Sequence, residues 1–214
     1  VKIPRRSVLY SAVALPASIG GALAAPRAMA DEAQSLLARI AGARAGMQTL
    51  QGPFTQTRTI ALLATEVRST GTLTLVRPDR LRWELAPPDA VTFWVTPEGL
   101  AYRSTSGSGH LPATTRSMSA MLEDLGALLG GDLQALLRRW SLRVVRDDAT
   151  GTAVEALPRA GSPAGLRRMQ LTLAPDLARP TEVTLDQGPK DRTVIKFGEL
   201  RVNAAVDPGL MRPA

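Results

Sequence analysis

Apolar residues along the chain first recur at helical spacing and then switch to strict alternation. Ala33, Leu36, Leu37, Ile40 and Ala41 form one stripe, predicting an amphipathic helix over 31–50, with Asp31 and Glu32 at its N-terminus and Gly46 able to end it. From Gly52 the period is two. Phe54 alternates with Thr55, Thr55 and Thr57 flank Gln56, and the strand runs to Ile60. Over 71–77, Leu73, Leu75 and Arg77 face one way and Thr72 and Thr74 the other. After Pro78-Asp79, Leu81, Trp83 and Leu85 alternate with Arg80, Arg82 and Glu84. Val91, Phe93 and Val95 then alternate with Thr92, Trp94 and Thr96 up to Pro97-Glu98-Gly99. Such alternation belongs to an antiparallel sheet with one buried and one solvated face.

Residues 104–116 are rich in Ser, Thr and Gly and read as a loop. Met118, Met121, Leu122, Leu125, Leu128 and Leu129 follow on one helical stripe, stopped by Gly130-Gly131. Asp132 is placed to cap a second helix carrying Leu133, Leu136, Leu137 and Trp140. Strands are expected again over 141–147, 152–157, 166–174, 181–187 and 193–202. In the last, Ile195 and Phe197 are odd while Leu200 and Val202 are even, so the phase slips at Gly198 as a β-bulge would make it. The predicted fold class is α+β: a single curved antiparallel sheet, a half-barrel, with helices covering its concave face.

The first thirty residues read differently. Lys2, Arg5 and Arg6 precede an apolar stretch from Val8 to Ala25, which ends in Ala28-Met29-Ala30. A positive start, an apolar centre and an A-x-A site predict a signal peptide over 1–30, leaving one domain over 31–214. Pro16, Gly20 and Gly21 interrupt the stretch and suit it poorly to span a bilayer. Arg5-Arg6-Ser7-Val8-Leu9 fits the twin-arginine pattern, and an ordinary charged leader fits equally well. Export predicts a periplasmic protein.

Composition narrows the chemistry. There is no cysteine and a single histidine, His110, so disulfides, thiolate ligands, His-based zinc sites and Ser-His-Asp triads are not expected. Without a cysteine to carry a lipid, the mature product is expected to be soluble and, in addition, monomeric. The four basic residues of 1–30 account for much of the net +7, leaving 22 basic against 19 acidic residues. Those charges are dispersed and aromatics are only 4%, which disfavours nucleic-acid binding. Glu123-Asp124 and Asp147-Asp148 are adjacent carboxylates without a supporting His or Cys. No enzyme, cofactor or metal site is expected.

Several segments together resemble the LolA family of periplasmic lipoprotein carriers. Gly52-Pro53-Phe54-Thr55-Gln56 is similar to its F-x-Q opening strand, and Ser69-Thr70-Gly71 to its S-x-G start. Arg77-Pro78 through Trp83 is similar to its R-P-x-x-x-x-W signature, with Pro87-Pro88 following. Pro97-Glu98-Gly99 departs from the family's Asp-Gly. The two leucine-rich helices around Gly130-Gly131-Asp132 are closer to LolA-like proteins that accompany exporters of other acylated lipids. The resemblance implies a cofactor-free carrier that receives lipoprotein or lipid acyl chains from an inner-membrane transporter. It would hand them to an outer-membrane acceptor.

Burying one methylene gains about 0.8 kcal/mol, so a chain of about sixteen carbons gains roughly 10 kcal/mol before costs. Release therefore requires an imperfectly packed cavity or one held partly shut when empty. By parity and stripe, the expected lining is Phe54, Leu73, Leu75, Trp83, Phe93, Met118, Met121, Leu122 and Leu125. The middle helices form either a lid or ordinary core packing. Arg77 shares a face with Leu73 and Leu75; the resemblance implies that it ties the lid shut by hydrogen bonds to backbone carbonyls of a closing helix, whereas a turn at Pro78 would let Arg77 reach water. Trp94, opposite in parity to Phe93, is expected to be exposed as a docking surface. The competing function is a periplasmic lipid- or peptide-sensing interaction module on the same half-barrel.

Overall fold

The computed structural model describes residues 25–63, 65–110, 116–130, 133–160 and 165–213. Most of the expected leader, 1–24, and the capping position Asp132 lie outside the described residues. Helix α1 spans Ala25–Ala43, so Asp31 and Glu32 sit inside it rather than at its start. Ala25, Ala28 and Ala30 are strong helix formers and carry the helix N-terminally.

Strands β1 (Thr49–Ile60) and β2 (Thr65–Val76) form a long hairpin. The meander continues through β3 (Arg80–Leu85), β4 (Val91–Thr96), β5 (Gly99–Ser104) and β6 (Gly107–His110). The expected loop over 104–116 is thus partly strand: Ser104 Oγ accepts from Ser106 N and donates to Gly107 O, closing a tight β5–β6 turn. After helices α2 (Arg116–Leu129) and α3 (Leu133–Arg139) come β7 (Trp140–Asp148), β8 (Gly151–Pro158), β9 (Arg168–Leu173), β10 (Pro180–Asp186), β11 (Arg192–Phe197) and β12 (Arg201–Val202).

All twelve strands join one antiparallel sheet in the order β6-β5-β4-β3-β2-β1-β11-β10-β9-β8-β7, with β12 beside β1. Its edges, β6 and β7, are not paired with each other, so the half-barrel is open. Phe197 faces Phe54 and Arg201 faces Gln51, so 198–200 set three residues against two. That is the extra residue expected from the phase slip at Gly198. Gly52 accommodates it: a Cβ there would lie 2.6 Å from the carbonyl oxygen of Glu199.

The core lies between the concave face and the helices. Leu36 and Ile40 of α1 and Leu125, Leu128 and Leu129 of α2 pack with Leu50, Phe54, Leu73, Leu75 and Val183 of the sheet. The β1–β2 tip and the β10–β11 turn share one end of the half-barrel, and the register puts the β4–β5 turn at the other.

Candidate lipid-binding cleft

Beneath α2, towards the hairpin end, lies a cleft of about 460 Å³, within the size range of small-molecule pockets. Of the residues expected to line it, Trp83, Phe93, Met121, Leu122 and Leu125 do so; Val67, Leu85, Val91, Leu166, Leu185 and Ile195 complete the apolar wall. Phe54, Leu73 and Leu75 do not line it. They are buried in the packed core, with Leu75 bordering a separate recess of about 330 Å³. The Met118 side chain lies outside the described residues. A larger, more open recess of about 840 Å³ is bordered by Phe54, Leu85, Pro87 and Phe197 together with Thr55, Thr70, Thr72, Thr92 and Lys196.

Phe54 supports the cleft from below. Its ring stacks on Trp83 with centroids 3.9 Å apart and planes 26° apart. Gly71 makes that position available, since a Cβ there would lie 2.6 Å from Phe54 Cζ and 2.0 Å from the carbonyl oxygen of Glu84. The F-x-Q, S-x-G and R-P-x-x-x-x-W segments therefore converge on one stacked pair.

The mouth is polar. Ser69 Oγ donates to Asp89 Oδ2 at 2.5 Å, and Gln56, Arg58, Gln187 and Thr193 complete the rim. Sequence reasoning missed these residues. Gln56 and Arg58 share parity with Phe54, and Gln56 stands opposite Ser69 in register, so pairing β1 with β2 would have found three of them. Gln187 Nε2 lies 3.9 Å from Met121 Sδ, a weak contact between the mouth and α2.

The opposite end of α2 is held firmly. Arg77 Nη1 donates to the carbonyls of Arg44 at 2.7 Å and Met47 at 3.3 Å, in the turn after α1. Arg44 in turn donates from Nη1 to Leu128 O at 2.9 Å and from Nε to Ala178 O at 3.2 Å. Leu128 O belongs to the last turn of α2, where carbonyls lack helical partners and a cation is favoured. Arg44 is 3% exposed. Burial, with the Arg77 charge beside it, lowers its pKa to about 10. Asp124, on α2, accepts from Arg139 and from Trp140 Nε1 and so joins α2 to the start of β7. Burial raises its carboxyl above the ordinary aspartate value despite those hydrogen bonds.

Trp94 is not an exposed docking residue. It is 4% exposed, covered by the C-terminal 3-10 turn Pro208–Met211, and its Nε1 donates to Leu210 O at 2.8 Å. The Arg82 and Arg103 guanidinium groups lie 5.9 and 5.6 Å from its ring centroid. The adjacent carboxylates of β7 are engaged structurally: Asp147 with Arg39 and Thr152, Asp148 with Thr150. Among the described residues no three His, Cys, Asp or Glu side chains gather as a metal site, and no helix is long and apolar enough to cross a membrane.

Residues 45–213 match the model of the family described as outer membrane lipoprotein carrier protein LolA. The chain belongs to this family. No curated protein matches it at the sequence level. Among solved structures it is similar to an uncharacterized conserved protein from Thermus thermophilus, at TM-score 0.53 and 11% identity, covering 86% of this chain and 94% of that one. It is also similar to a DUF1329 family protein from Desulfovibrio piger, at TM-score 0.51 and 10% identity, covering 86% and 97%. MucB matches at TM-score 0.50 and 16% identity, with 86% of this chain covering 63% of that one. At these identities the LolA-family chain shares a fold with them.

Proposed function

We propose that this LolA-family protein is a periplasmic carrier of acyl chains. Its leader, residues 1–30, directs export and is removed. The domain over 31–214 then accepts a lipoprotein or another acylated lipid from an inner-membrane transporter and passes it towards an outer-membrane acceptor. The observation that carries this reading is the apolar cleft beneath α2 with its polar mouth. Trp83, Phe93 and Leu122 offer acyl chains a dry wall, while Gln56, Ser69, Asp89 and Thr193 offer hydrogen bonds where a headgroup would emerge. Leu122 and Leu125 are nearly fully buried, so acyl chains reach that part of the wall when α2 moves outward.

In this reading α2 is the lid and Arg44 holds its C-terminal end. Arg77 acts through Arg44 by fixing its backbone, and the helix swings at the mouth end, where Met121 is weakly held. Methionine adapts to irregular cargo, and no covalent step is needed.

Mass spectrometry of an organic extract from the mature protein, purified from its native periplasm, tests the reading. Stoichiometric acylated species are expected. Lipid-free protein that also fails to take up a fluorescent acyl probe would overturn it and favour an interaction module.

A further inference from the structure

The β1–β2 hairpin ends in an apolar run, Ile60-Ala61-Leu62-Leu63. Leu62 is 93% exposed, and Val67, opposite Arg58 on the third rung from the tip, is exposed as well. Hairpin tips are ordinarily polar, and an apolar one in water gains nothing from folding. This tip is also held in place: Asp191 Oδ1 accepts from Ala61 N at 2.9 Å, tying it to the β10–β11 turn. Arg58 and Val67 belong to both the hairpin and the mouth of the cleft, so the apolar tip continues into the cavity. Around it stand Arg58 and Lys190, which have no acidic partner among the described residues, and Arg68, whose contact with Glu66 is a loose 3.8 Å.

We propose that this tip is a membrane-contacting surface that enters the interface of a bilayer bearing anionic headgroups and brings the cleft mouth against it. A protruding leucine flanked by arginines matches the order of layers at such an interface, with hydrocarbon below and phosphates above. The inference goes beyond carriage and holds whether or not the cleft takes acyl chains.

The chain has no cysteine, so Leu62→Cys carries a single environment-sensitive nitrobenzoxadiazole label. Glu98→Cys, exposed in the β4–β5 turn at the far end, is the control. With vesicles of phosphatidylethanolamine and phosphatidylglycerol, a several-fold emission gain and blue shift are expected at position 62 and none at 98. Phosphatidylcholine vesicles should give a weaker response. Leu62→Asp, at a site that packs against nothing, should cut vesicle co-flotation several-fold with an unchanged urea midpoint. Equal responses at both labels, or unchanged flotation of Leu62→Asp, would overturn the proposal. So would a response at 62 to detergent-solubilised membrane proteins but not to vesicles. Acyl-probe uptake, measured separately in the same variants, keeps this outcome distinct from failure of the carrier reading.

Discussion

Arg77 grips Arg44 by its backbone: the guanidinium of one donates to the carbonyl oxygen of the other at 2.7 Å. The two cations sit side by side because each is directed to a different carbonyl. Arg77 fixes the turn after α1, and that turn aims Arg44 at Leu128 and Ala178. The end of α2 is thereby anchored to the first helix and to the β9–β10 connection.

Arg44→Gln should free the last turn of α2. Leu128 O and Ala178 O lose their donor, so stability should fall by about 1–3 kcal/mol, read as a lower urea midpoint. Amide exchange in the last turn of α2 should rise more than in β1 or β2.

Arg77→Leu should accelerate both uptake and release of a fluorescent acyl probe, in the same direction as Arg44→Gln. Since Arg77 acts through Arg44, the double variant should show little more than the Arg44 effect alone. Full additivity of the two free-energy changes would mean that the residues act independently.

Gly71→Ala inserts a methyl group between Phe54 and the Glu84 carbonyl. The Phe54–Trp83 stack must shift, with an expected cost of about 1–3 kcal/mol. Tryptophan emission should change with it, and thermal melting measures the loss.

Val91→Trp projects an indole into the cleft from a half-buried wall position. Acyl-probe uptake should drop several-fold with a small change in melting temperature. Val145→Trp, on an exposed position of β7, should leave uptake unchanged.

Asp186 links β9, β10 and β11. Burial pushes its carboxyl up, but hydrogen bonds from Arg192 and Arg168, both at 2.7 Å, hold it below the ordinary aspartate value. A depressed folded-state pKa gives stability that is fully present above the unfolded value of about 3.9 and is lost as pH falls through the folded value. Asp186→Asn should cost about 1–2 kcal/mol at neutral pH and flatten the acid limb of stability against pH, followed by urea unfolding.

Much of this was legible in the residue order. Alternation located most strands because one of their faces is buried in the core, and the phase slip at Gly198 marked a real change of register. Trp94 defeated parity because its cover is a C-terminal turn with no periodic signature. Arg44 escaped notice because it lies just past the helix stripe and because its partners, Leu128 O and Ala178 O, are backbone atoms distant in the chain. The β5–β6 hairpin was hidden by its composition, as Gly107 and Gly109 weaken any strand signal. The cleft was half visible: its apolar wall follows from parity, whereas its rim gathers Asp89, Gln187 and Thr193 from separate connections and strands.

The unpaired edges at β6 and β7 have a mechanical meaning. A closed barrel has a fixed circumference, and widening it means breaking rungs of its hydrogen-bond ladder. An arc obeys no such rule: it changes radius by bending, and every rung between neighbouring strands survives. Cargo of different girth can then be admitted by flexure of the whole shell, with side-chain packing as the compliant element. Under the proposed carrier reading, one protein would accommodate bulky and slender lipids without a separate cavity for each.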